Sequence, residues 1–127
     1  MQSREDFFAT LTAMNWVEER HQREELIRKK GAELWGAVCL ELQESIDTFR
    51  RLYDDASYQT AKNGMVVSKG ATEETLSIKF DSPRIVGSEA LIALNVSAEG
   101  GVVWFVNNEA STPALVAKAI LQPFLFD

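Results

Sequence analysis

The chain of 127 residues contains one histidine and one cysteine, His21 and Cys39, and these two bound the nucleophilic and metal chemistry open to it. A cysteine nucleophile needs a neighbouring base or a helix N-terminus to form thiolate. Cys39 instead falls four residues after Trp35, beside an apolar stripe, and reads as a buried, inert thiol. His21 sits in a highly charged stretch with no second histidine or cysteine nearby, a poor setting for a metal ligand or relay base. Acidic pairs occur at Glu18-Glu19, Glu24-Glu25, Asp54-Asp55 and Glu73-Glu74. Neighbouring residues on a helix or strand point in different directions, so adjacency does not converge two carboxylates on one substrate. These pairs read as solubility features, with Asp54-Asp55 ending a helix or opening a strand. No serine, threonine or lysine stands in a glycine-rich or strained-turn context, and Gly100-Gly101 is explained by a hairpin. No catalytic, metal or cofactor site is expected, and the reading leans away from an enzyme.

Composition agrees with that restraint. The chain is 46% hydrophobic and 25% charged, ordinary for a globular protein, and long enough for one core without staples. With 13 basic and 19 acidic residues it carries a formal charge of −6, which repels phosphate backbones and disfavours nucleic-acid binding. The basic run Arg28-Lys29-Lys30 lies beside Glu24 and Glu25, so little net field survives there. The longest apolar runs, 90–94 and 101–106, are too short to span a bilayer, and no membrane association is expected. Residues 4–6 are charged, with no apolar signal core. One cysteine excludes an internal disulfide and fits a reducing compartment. A cytoplasmic location follows.

The element that must position everything else is a long amphipathic helix over residues 23–53. Its apolar positions, Ile27, Gly31, Trp35, Val38, Leu42, Ile46, Phe49 and Tyr53, advance by threes and fours and hold one stripe. Gly31 and Gly36 flank Trp35; each costs about 1 kcal/mol in a helix, and close approach of another element around the indole would compensate. The helix is expected to continue through Gly31. Upstream, Ser3-Arg4-Glu5-Asp6 resembles a capping box and opens a short helix over 4–14. Asn15 with Glu18 offers a second box and predicts a bend near Asn15. Between them and the stripe, Glu19–Arg23, Glu24–Arg28 and Glu25–Lys29 each place a glutamate four residues before a base.

Downstream the pattern turns to short strands. Lys62-Asn63-Gly64 is a hairpin signal joining 56–61 to 65–69. In 73–80, Leu76, Ile78 and Phe80 alternate with Thr75, Ser77 and Lys79, a half-buried strand with one wet face. Residues 85–86 make a short edge piece and 89–97 a strand. Glu99-Gly100-Gly101 turns into 102–106, apolar on both faces and so placed centrally or under cover. Residues 107–111 read as a loop. Thr112 followed by Pro113 then starts a helix, which Pro123 is expected to stop or kink. Phe124-Leu125-Phe126 should dock on the domain, because an exposed apolar triple is an aggregation hazard.

The expected fold is therefore α+β: a long N-terminal helical segment on an antiparallel meander of four to five strands, with a short C-terminal helix. Residues 1–127 form one domain, with 1–30 projecting as a helical arm. No motif carries a family resemblance. In architecture alone the order is similar to cystatin-like folds and some small secretion chaperones, and architecture does not assign function. Phe7, Phe8, Leu11, Met14 and Trp16 form an apolar cluster cut off from the core stripe by the charged stretch, a candidate interface for a homodimer or another protein. The alternative is a small carrier holding an apolar ligand between helix and sheet, at Trp35, Phe49, Leu76, Ile78 and Trp104.

Overall fold

The computed structural model describes residues 4–70 and 74–126, with side chains described from residue 15 onward. One helix, α1 (Arg4–Leu52), runs 49 residues without interruption, about 74 Å at 1.5 Å per residue. The expected bend near Asn15 is absent. Asn15 is exposed and sits inside the helix, where an asparagine costs only a few tenths of a kcal/mol against alanine, less than breaking the backbone ladder would. The cap expected at Ser3 and Asp6 lies outside the described residues. Over the charged stretch the observed ion pairs are Arg20–Glu24 at 3.3 Å and Arg28–Glu25 at 2.6 Å, a different partnering from the expected one.

Among the described side chains, those of α1 that pack on the domain lie in its second half. Asn15 to Glu24 are all exposed, Ile27 is the first residue to pack against the core, and Gly31 is the first to be buried. A Cβ on Gly31 would come within 3.2 Å of the Phe80 ring, so this glycine lets a strand side chain reach the helix backbone. Gly36 faces open space instead, and the close approach expected there does not occur. Trp35, Val38, Leu42, Ile46 and Phe49 are buried, as their stripe required.

Seven strands follow, not four to five. They are β1 (Ala56–Ala61), β2 (Gly64–Lys69), β3 (Thr75–Asp81), β4 (Arg84–Val86), β5 (Ile92–Val96), β6 (Val102–Val106) and β7 (Glu109–Ser111), in one antiparallel sheet whose spatial order is the sequence order. The two strands beyond five are β4, which pairs on both sides and is not an edge piece, and β7, where a loop is expected. β7 exists because Asn107 and Asn108 both adopt positive φ, 50° and 70°, the geometry a two-residue I′ hairpin turn demands. Asn63 (φ 58°) serves the expected β1–β2 hairpin. β5 begins three residues later than expected.

The inward face of the sheet carries rows of cross-strand neighbours. Met65 lies opposite Ile78, Phe80 opposite Ile85, Ile85 opposite Ile92, and Leu94 opposite Trp104. Ile78 and Phe80 are buried and Leu76 half-buried, while Thr75, Ser77 and Lys79 are exposed, the alternation expected. Trp35 stacks on Phe80 at 5.7 Å, and Phe80 meets Trp104 edge-on at 5.9 Å, arrangements worth about 0.5–1.5 kcal/mol each beyond burial. On the opposite face Val103 and Phe105 of β6 are only half-buried. β6 is one strand from the edge rather than central, and its second apolar face is only part covered.

Gly87 closes the turn after β4 at φ +98°, and a Cβ there would overlap the Ser77 carbonyl oxygen. Gly87→Ala is expected to lose at least about 1–3 kcal/mol through backbone strain alone, read as a lowered midpoint in urea. An unchanged midpoint would place this turn wrongly.

α2 (Pro113–Leu125) starts as expected: the Leu115 amide donates to Thr112 Oγ1 at 3.3 Å, with Pro113 at its first position. Pro123, expected to stop or kink the helix, does not stop it: the helix continues to Leu125. A proline inside a helix costs about 3 kcal/mol. Two local gains offset it: Leu125 is buried, and Lys69 Nζ donates to the Phe124 carbonyl oxygen at 3.3 Å. Val116, Ala117, Ile120 and Leu121 complete the same core that α1 and the sheet share. Deleting residues 124–127 should then lower the melting temperature by several degrees, since losing Leu125 alone removes about 2 kcal/mol of burial. A truncated chain that melts with the full one would contradict this docking.

Candidate functional site

Two surface features stand out, an exposed stretch of α1 and a groove between α1 and α2. The titratable groups come first. No described polar or charged side chain is buried, and among the described residues no group of three His, Cys, Asp or Glu converges on a metal-sized site. Cys39 is half-buried beside the core, and burial pushes its thiol above the ordinary value, away from thiolate. His21 lies about 27 Å up the same helix, too far to act on it. Asp54 is occupied locally, its Oδ1 accepting from the Asp55 amide at 2.8 Å. Glu25 is held below the usual carboxylate range by its hydrogen bond from Arg28, a surface pairing.

The first feature is the N-terminal part of α1, whose described side chains are exposed from Asn15 to Glu24. Trp16 is 60% exposed, and Val17 is exposed beside it. Of the candidate interface, Trp16 is therefore on the surface, while the side chains of Phe7, Phe8, Leu11 and Met14 lie outside the described residues.

The second feature is an open groove of about 1090 Å³ between the C-terminal half of α1 and α2. Phe49, Leu121 and Leu125 form its floor. Tyr53 and Phe126 stand beside it, 69% and 58% exposed. Three ring pairs tie this end together: Phe49–Tyr53 stacked at 5.5 Å, and Phe126 edge-on to Phe49 at 5.4 Å and to Tyr53 at 5.1 Å. The charged residues along the groove are Glu44, Asp47, Arg50, Arg51 and Lys118.

Comparison with protein-family models, curated proteins and solved structures finds no match to this chain. Function has to be argued from the molecule alone.

The residues expected to hold an apolar ligand are packed on one another. Trp35, Ile78 and Trp104 are buried in the core and line neither the groove nor the two smaller clefts, of about 230 and 260 Å³. Leu76 borders one of those small clefts, and Phe49 belongs to the groove. The structure thus does not bring the five together around one space. Sequence reasoning missed the groove, although Phe49 and Tyr53 at helical spacing and the Phe124-Leu125-Phe126 tail were both noticed separately. Only the tertiary fold joins them. Trp104 Nε1 is buried with no hydrogen-bond partner, on a ring that meets Phe80 edge-on.

Among the described residues no helix is long and apolar enough to cross a membrane.

Proposed function

We propose that this chain is a non-enzymatic protein-interaction or assembly domain that forms a homodimer through its N-terminal helical arm. One observation carries the reading: α1 begins at Arg4, about 35 Å of helix before Ile27, the first described side chain to pack against the core, and Asn15 to Glu24 are all exposed. A six-residue strand covers only about 20 Å, so the second half of the helix already suffices to cover the sheet. In proteins most helical stability comes from packing of an apolar face, and the charge pairs along 20–28 are exposed, where an ion pair adds little. A helical arm of this length with Trp16 and Val17 exposed on it gains most of its stability from something it binds.

The absence of convergent titratable groups among the described residues favours interaction over chemistry. The overall charge of −6 favours a protein surface over nucleic acid. Sedimentation velocity on the full chain at two concentrations tests the reading. A boundary that moves faster at the higher concentration supports it; a single slow boundary at both, up to tens of micromolar, overturns it.

A further inference from the structure

The groove between α1 and α2 is the largest cleft described. Its apolar floor lies between two helices under charged rims, a form that suits the apolar face of an amphipathic helix. We propose that it receives the N-terminal segment of α1 from a second copy of this chain. The inference rests on the self-association reading and names the surface that reading lacks.

Three arguments select this occupant. The chain itself carries a segment of the right pattern, with Phe7, Leu11 and Met14 at i, i+4 and i+7 of a helix, the spacing of groove-binding anchors. That segment cannot reach its own groove. α1 is continuous from Arg4 to Leu52, so the segment and the groove residues 44–53 stand about 50 Å apart along one rigid axis. Charge agrees as well. Arg50 is engaged by Asp47 at 2.6 Å, leaving Arg51 and Lys118 against the single acid Glu44, a net positive rim. The segment opens with Arg4-Glu5-Asp6, one net negative charge. Since each copy offers one segment and one groove, a two-fold exchange uses both and closes at a dimer.

Cysteine cross-linking tests it on the full chain. In a Cys39→Ala background, one preparation carries Thr12→Cys, which leaves the three apolar anchors intact, and the other carries Lys118→Cys, at an exposed position. Mixed and oxidised, they are expected to give a heterodimer joined between the two introduced thiols. Reversing the rim with Arg51→Glu and Lys118→Glu, both exposed, should raise the dimer dissociation constant about tenfold with an unchanged melting temperature. A dimer in which the thiol at position 118 stays unreacted, or in which the chain bearing Thr12→Cys joins only to itself, overturns the groove as receiver while leaving self-association standing. A wild-type chain that sediments as a monomer removes the self-association reading itself.

Discussion

Ile78→Asp is expected to leave the chain unfolded at room temperature. Ile78 is 2% exposed in the middle of β3, opposite Met65 and within the core that α1 and α2 close. Losing the buried isoleucine costs about 1.5–3 kcal/mol. Burying a carboxylate without a partner adds several more, and no described cation is buried to receive it. Against a total stability of about 5–15 kcal/mol, the sum exhausts most or all of what a domain this size holds. Circular dichroism should show the sheet signal lost. A variant that melts like the parent would mean that β3 presents Thr75, Ser77 and Lys79 to the core.

Removing residues 1–17 is expected to have the opposite profile: a large effect on assembly and none on the sheet. Of the residues removed, those with described side chains, Asn15 to Val17, are exposed and take nothing from the core with them. The core begins at Ile27, Gly31 and Trp35, and the remaining helix still spans it. The melting temperature should stay within about 2 °C, because a surface change is worth at most about 0.5 kcal/mol. Loss of self-association with stability intact separates an arm that binds from an arm that merely folds.

Much of the fold was legible in the sequence because long periodic segments state their own periodicity. The stripe from Ile27 to Phe49 and the alternation Leu76–Ile78–Phe80 each repeat often enough to fix both element and buried face. What failed was short or decided by competition. β4 and β7 have three residues each, too few to show alternation. β7 was marked only by Asn107-Asn108, a pair able to take positive φ that resembles any polar loop. Asn15 and Pro123 carry local signals for a break that the continuing helix and the buried Leu125 outweigh. The groove had no sequence signature, since Phe49 and Tyr53 lie more than sixty positions before Leu121 and Leu125 and meet them only when α2 returns beside α1.

The central claim, that the free half of α1 holds two copies together, is tested most directly by light scattering on the full chain and on the chain lacking residues 1–17, at the same concentration of tens of micromolar. The full chain should scatter at about twice its 14.2 kDa mass, and the shortened chain as a single copy with its sheet signal unchanged. A full chain that scatters as one copy, or a shortened chain that stays double, would contradict it.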